Sequence, residues 1–338
     1  MNKFAFVDCT TVDQALAELK DGAVIKAGGI DLLDLMKDGI VTPPRLVNIR
    51  NVNSLHGIRA SAEGLHLGPL STLSEIAEHP VIQREYSALS DAAGHAATPQ
   101  VRNMATVGGN ITQRPRCWYF RSSDFDCKKK GGGSQECHAH DGENQYHAVM
   151  NNGTCAMVHP SSTAVPLLAM GAQVELTSKR GKRTVAMSDF YVPPEKSLMS
   201  ETALEPGEII TEIFVPTPEK GTRSAYQKYG EKESFDWPLA DAGVVLVMDG
   251  ERCKKAAVVM GVAAPTPIRS QAAEGVLNGA SINETTACSR KGCHEECDSA
   301  FSERLQGPTV RNRDLSDDPA GSGSDAARSE CRRLRRHR

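Results

Sequence analysis

The chain has 338 residues, 39% hydrophobic and 24% charged, with a net charge of −3. That length accommodates about two domains, and the near-neutral charge argues against a large nucleic-acid footprint. No run of about 18 apolar residues occurs, which excludes a transmembrane helix, and the first residues turn polar too early for a secretory signal.

Residues 1–55 read as a small α/β unit. Thr11 is placed to cap a helix predicted over 12–20, with Leu16 and Leu19 toward a core. A strand over 23–26 runs into Gly28 and Gly29 and then an apolar helical stretch over 32–36. Pro43 and Pro44 break the chain before a strand over 46–49. Residues 57–70 alternate as a strand or hairpin, and helices follow over 73–78 and 86–97. A glycine-rich loop and a weakly hydrophobic insert fill 105–155. An apolar helix resumes over 166–170, followed by a strand over 173–177. From 184 to 283 the pattern is strand-rich with a later helix, the strands falling near 208–215, 224–229, 242–248 and 256–262.

The ten cysteines are clustered: Cys117, Cys127, Cys137 and Cys155 lie in the insert, Cys288, Cys293, Cys297 and Cys331 in the tail, and Cys9 and Cys253 stand apart. In a long chain without an export signal, such clusters point to metal or redox chemistry more than to disulfides. The insert spacing, C-x9-C-x9-C-x17-C, fits neither a zinc finger nor a compact ferredoxin run. A loop this long and polar needs something to tie it down, and on spacing alone two disulfides, zinc and iron–sulfur ligation all remain open. Solvated loop positions are the simplest reading of His138, His140, His147 and His159 and of Lys128, Lys129 and Lys130. Trp118, Tyr119 and Phe120 would pack the insert onto its neighbour, and Asp236 and Trp237 read as core.

Residues 287–338 contain ten Arg but one Lys, and their only Leu, Ile, Val or Met residues are Leu305, Val310, Leu315 and Leu334. Such a stretch cannot bury enough apolar surface to offset its ordering entropy. Its bias is that of a GC-rich gene read out of frame. Codons for AFSERLQGPTVRN, read one nucleotide later, can encode PLANGYKVPLFE, so the expectation is a frameshift near Ala287 and no selected role for the tail cysteines.

Two glycine turns carry the ligand-binding signal. In KAGGIDLLDLMK, two glycines join a strand to a helix, where a sharp turn and free N–H groups favour phosphate. In PQVRNMATVGGNI, two more glycines precede Asn110, whose amide both donates and accepts. Neither matches G-x-G-x-x-G or a Walker A loop. Each alone reads as a tight turn. Two of them, about 80 residues apart, suggest a dinucleotide held from two sides.

With CAMVHPSS, LEPGEII and YQKYGEKESFDWPLAD in the same order, these motifs resemble the FAD-binding subunits of the molybdenum hydroxylases over roughly residues 1–286. The resemblance implies an α+β protein. A PCMH-type (vanillyl-alcohol-oxidase-like) FAD-binding fold in two α/β subdomains, 1–55 and 56–178 with the insert at 115–156, would be followed by a CO-dehydrogenase-flavoprotein-like C-terminal α+β domain over 179–286. Residues 287–338 would form a disordered tail; the family closes with a segment like PLANGYKVPLFE.

The resemblance also assigns roles. Lys26, Ala27, Gly28, Gly29, Ile30, Asp31, Leu32 and Leu33 would wrap the FAD pyrophosphate and ribityl. Thr106, Val107, Gly108, Gly109 and Asn110 would form the second wall, mainly through backbone N–H groups. Ile210 and Lys228 match positions near the isoalloxazine and adenine ends. Ile30 stands where the family usually has Thr or Ser, and Ser162 where it often has a FAD-contacting Asp. The aldehyde-oxidoreductase subtype and 4-hydroxybenzoyl-CoA reductase carry an insert in this place whose four Cys hold a [4Fe–4S] cluster. This implies Cys117, Cys127, Cys137 and Cys155 as its ligands. No catalytic acid, base or nucleophile constellation is expected.

The implied function is electron transfer within a heterotrimer. A molybdopterin-binding large subunit would oxidise an aldehyde or heterocycle, and a [2Fe–2S] small subunit would pass electrons to this FAD and on to an external acceptor, with no nucleic acid or membrane insertion. The expected location is cytoplasmic, or periplasmic by export with a partner. The alternatives are a free-standing FAD-dependent oxidoreductase of the same fold, a 4-hydroxybenzoyl-CoA reductase-type subunit, and a zinc-stapled interaction module.

Overall fold

Three sheets organise the described residues, and the two glycine turns lie where the first two meet. The computed structural model describes residues 1–131, 136–232 and 234–282; the tail, with its expected frameshift and four cysteines, lies outside them.

The first sheet is parallel. Strands β1 (Ala5–Asp8), β2 (Val24–Lys26) and β3 (Arg45–Asn48) stand in the order β1-β3-β2. Parallel strands need crossovers, supplied by helices Val12–Glu18 and Ile30–Lys37. The Thr11 hydroxyl accepts from Gln14 N–H, as its cap position predicts. Leu16, Val47, Ile49 and Leu55 form this unit's buried core.

The second sheet is antiparallel, with order β4-β5-β8-β6-β7: β4 Ile58–Ala60, β5 Gly64–Leu67, β6 Gln173–Ser178, β7 Gly181–Ala186 and β8 Ile209–Pro216. The glycine turn and cysteine insert fall between β5 and β6. Helices Leu73–Glu78, Ser87–Gly94 and Ala164–Ala169 cover the sheet through the largest apolar cluster, which includes Leu65, Leu73, Leu89, Val107, Leu167 and Ile213. Truncating one such buried leucine to alanine costs about 2–5 kcal/mol. Thr72 and Glu75 form a reciprocal capping box at the first of these helices.

The third sheet is antiparallel, order β12-β11-β10-β9: β9 Thr222–Tyr229, β10 Ala240–Asp249, β11 Arg252–Gly261 and β12 Ile268–Arg269. Tyr226 and Val259 pack with Ala88, Ala92 and Val165 of the second layer's helices. The Ser87 hydroxyl donates to the Ser224 carbonyl at 2.6 Å.

β7 and β8 belong to the second sheet, paired through β6, and the third sheet begins after Pro216. Local pattern could not show this, because the partners of β8 lie about 30–150 residues earlier. β1 and β7 were also not predicted individually; both are short edge strands with mostly exposed or half-exposed side chains and little alternation to read.

Candidate functional site: a two-walled cleft and a cysteine cavity

The cleft between the glycine turns is a cavity of about 460 Å³, within the range of about 300–1,000 Å³ typical of cofactor sites. One wall is the turn from β2 into helix Ile30–Lys37. Gly29 is its N-cap, at φ +84°, with no side chain capping the helix. The first-turn N–H groups, which have no intrahelical acceptor, are therefore left for a ligand. Gly28 touches the other wall directly: a Cβ there would fall 2.0 Å from the Met104 carbonyl oxygen. Only glycine permits that approach.

The second wall is the short helix Val107–Ile111, and its hydrogen bonding differs from the sequence expectation. Val107 N–H donates to Ser71 O, Gly108 N–H to Pro69 O, Gly109 N–H to the Thr106 hydroxyl and Asn110 N–H to Thr106 O. These groups are taken up by the protein, so this wall offers shape more than donors. Asn110 is likewise a bracket. Its Oδ1 accepts from Ser161 Oγ at 2.7 Å and Thr163 Oγ1 at 2.6 Å, and its Nδ2 donates to Gln113 Oε1 at 3.1 Å. The CAMVHPSS segment is thereby pinned to the glycine turn.

Of the residues singled out from sequence, Ala27, Gly28, Gly29, Ile30, Asp31, Leu32, Thr106, Gly108, Gly109, Asn110, Ser162, Ile210 and Lys228 line this one cavity. Lys26 and Leu33 do not. Lys26 Nζ turns back to Asn48 Oδ1 at 3.3 Å, and Leu33 packs beneath Gly29. Val107 is buried behind the wall in the main apolar cluster.

The cavity also recruits residues the motifs did not mark, notably His95, Ala96 and Ala97, Arg114 and Arg116, Glu208, and Phe235 to Pro238. Ala97 sits at φ +50°, strained for a residue with a Cβ. Arg114 and Arg116 follow the glycine turn by only a few residues, a basic signal legible in the sequence. Trp237 is not core: it is 48% exposed, at the rim, with the Arg116 guanidinium 4.4 Å from its ring centroid. Burial lowers the pKa of Arg116 and of Lys228.

Behind Ser162 lies a buried pair. Tyr226 OH donates to Asp241 Oδ2 at 2.6 Å, and burial pushes the Asp241 carboxyl up to about 6, opposed by that hydrogen bond and by Lys228. Glu208 is held below the usual carboxylate range by a two-pronged contact with Arg183.

The four insert cysteines converge on a second, small cavity of about 20 Å³. Cys117, Cys127 and Cys137 each immediately precede a short helical turn, Trp118–Arg121, Lys128–Lys130 and His138–Asp141. Backbone N–H groups of Tyr119 and Phe120 face the Cys117 sulfur, and those of Ala139 and Ala156 face Cys137. Cys137 and Cys155 share a hydrogen bond that lowers the former's pKa, and His147 Nε2 lies 3.2 Å from Cys117 Sγ. No disulfide joins the described cysteines. As folded here, no three His, Cys, Asp or Glu side chains among the described residues are arranged to hold a metal ion.

Two expectations for the insert change. Lys129 is almost wholly buried and not on a solvated face, and His147 and His159 are buried. Tyr119 and Phe120 do pack inward, Phe120 beneath the Arg114 guanidinium at 5.0 Å. No described helix is long and apolar enough to cross a membrane.

The comparisons agree with this geometry. The family described as the FAD binding domain in molybdopterin dehydrogenase matches residues 2–218, and the CO dehydrogenase flavoprotein C-terminal domain matches 224–289. The chain is 36% identical over 272 residues to the aldehyde oxidoreductase FAD-binding subunit PaoB of Escherichia coli (strain K12), covering 80% of this chain and 84% of that one. It is 30% identical over 280 residues to the putative xanthine dehydrogenase FAD-binding subunit XdhB of the same organism, covering 82% and 80%. It is 28% identical over 269 residues to the carbon monoxide dehydrogenase medium chain of Afipia carboxidovorans, covering 80% and 76%. In fold it is similar to carbon monoxide dehydrogenase from Hydrogenophaga pseudoflava, with a TM-score of 0.68 at 24% identity over 91% of this chain and 94% of that one. The chain belongs to the FAD-binding medium subunits of the molybdenum hydroxylase family and is an FAD-dependent oxidoreductase subunit with an electron-transfer role.

Proposed function

We propose that the large cavity holds FAD and that the chain carries electrons from the [2Fe–2S] clusters of a small subunit to an external acceptor, downstream of a molybdopterin-binding large subunit that oxidises an aldehyde or heterocycle. The observation that carries this reading is the Gly28–Met104 contact, which closes the two glycine walls on one cavity lined by nearly all the residues assigned from the family. FAD supplies both one- and two-electron chemistry when bound; this chain supplies placement.

The uncapped helix start at Gly29 directs N–H groups and the positive end of its dipole at an anion, which suits the pyrophosphate. Arg114 and Arg116 add positive charge on the same cavity, and Ile210 and Lys228 complete its far side. Ser162 offers a hydroxyl where relatives often have a carboxylate.

A [4Fe–4S] cluster on Cys117, Cys127, Cys137 and Cys155 belongs to the same proposal. Its support is the meeting of four thiols from a dispersed insert on one cavity, with backbone N–H groups facing two of the sulfurs; burial pushes the Cys117 thiol up to about 11, which these donors partly offset. The free thiols suit a reducing, cytoplasmic compartment. The domain organisation we propose is 1–55 and 56–218 for the FAD-binding part and 222–282 for the third-sheet domain.

The test is the absorbance spectrum and the iron, sulfide and flavin content of the purified full chain. Flavin bands near 450 nm (about the position for any oxidised flavin) with iron and sulfide, both lost on Cys137→Ser while flavin stays, are expected. A colourless protein overturns the proposal. A yellow, iron-free one overturns the cluster and leaves the FAD reading standing.

A further inference from the structure

A single buried carboxylate stands between the two cavities. Lys129, whose side chain is 1% exposed, lies on the wall of the cysteine cavity. Its Nζ pairs with Glu201 Oε1 at 2.8 Å and donates to the Leu198 carbonyl at 2.7 Å. The other oxygen of Glu201, Oε2, pairs with Arg114 Nε at 2.7 Å. Arg114 lies on the wall of the large cavity, and its backbone N–H donates to Asp31 Oδ2 at 3.0 Å on the facing wall.

A buried lysine is tolerated only when paired, because removing its charge from water costs several kcal/mol. Lys129 and Arg114 are also like charges that would repel in a low-dielectric setting. One carboxylate lies within ion-pair distance of both, and it comes from a different part of the chain than either cation. A simple packing role needs no ion of this kind; Phe120 beneath the Arg114 guanidinium already joins insert to cleft by a cation–π contact.

We infer that Glu201 is a positioning residue that couples the wall of the cysteine cavity to the FAD cavity: it fixes Lys129 on one and Arg114 on the other, so a change at Lys129 alters the field and geometry at the flavin. This rests on the proposed FAD in the large cavity. The coupling itself is read at the flavin and does not require the cluster to be present.

The experiment is a double-mutant cycle on the full chain loaded with FAD, comparing wild type, Lys129→Met, Glu201→Gln and the double variant. Flavin midpoint potential is read by spectroelectrochemistry and FAD Kd by titration, with iron content measured alongside. Lys129→Met is expected to shift the potential and weaken FAD binding several-fold although Lys129 does not line the FAD cavity. In the Glu201→Gln background it is expected to add nothing, because the carboxylate that transmits it is gone.

Additive effects would mean that Lys129 acts through space and not through Glu201, and overturn the coupling. An unchanged potential in Lys129→Met, with flavin bound normally, overturns it as well while leaving the FAD reading intact. A wild type that binds no FAD overturns both together and is recognised before any variant is made. Should Lys129→Met fail to fold, Glu201→Asp keeps the buried charge but cannot reach both cations. It is expected to shift the potential, and an unshifted potential there refutes the coupling.

Discussion

Gly28→Ala is the sharpest single perturbation of the cleft. The added Cβ would lie 2.0 Å from the Met104 carbonyl oxygen and 3.0 Å from its carbon, where ordinary contact begins at 3.4 Å. The obstacle is backbone and cannot rotate away. One wall must retreat by on the order of 1 Å, the kind of overpacking that costs about 1–3 kcal/mol. Met104 is not free to yield: Ala105 O accepts from Leu73 N–H at 2.9 Å, and Thr106 caps the next helix. We expect a stability loss near 2 kcal/mol and an FAD Kd raised by about tenfold or more, since tenfold corresponds to ~1.4 kcal/mol. The assays are urea unfolding without ligand and flavin fluorescence titration. Gly153→Ala is the control, since nothing lies within 4 Å of its Cβ position, and should stay within about 0.5 kcal/mol. A Gly28→Ala protein matching wild type in both assays refutes the claim that this contact closes the cleft.

Three further outcomes follow from the side-chain networks. Asp241, pushed up to about 6 by burial, binds its proton more tightly folded than unfolded. Its stabilising effect is therefore full below about pH 4 and lost as pH rises through about 6, by roughly 3 kcal/mol; denaturant unfolding of Asp241→Asn against wild type at pH 4 and pH 7.5 should show that difference shrinking. Glu208 behaves oppositely. With its pKa depressed by Arg183, it stabilises at neutral pH and loses that effect as pH falls below the usual carboxylate range, so Glu208→Gln should cost about 1 kcal/mol at pH 7 and little in acid, read by thermal unfolding. Asn110→Ala strips the acceptor from two buried hydroxyls, Ser161 and Thr163, and should destabilise by about 1–3 kcal/mol in calorimetry.

How far the sequence exposed this site follows from where the determinants lie. The turn from β2 into helix Ile30–Lys37 is local, so Gly28 and Gly29 announced it, and Thr11 marked the start of the helix at Val12. Lys129 could not be read as buried, because its partner Glu201 is 72 residues away and only the fold brings them together. Trp237 reads as core in the sequence for the same reason: aromatic residues favour cores on average, and nothing near it in sequence shows that its companion is Arg116 at a cavity rim. The second glycine turn is equally local in sequence, but its hydrogen bonding is not. Whether an N–H is free depends on Ser71 and Pro69, which approach from the preceding loop.

The most direct measurement of the central claim is the flavin content of the purified full chain, by acid release and quantification of the nucleotide. The two-walled cleft predicts one FAD per chain, bound without a covalent link and lowered in Gly28→Ala. A chain that is folded by circular dichroism yet neither retains nor takes up FAD at micromolar concentration would contradict the account.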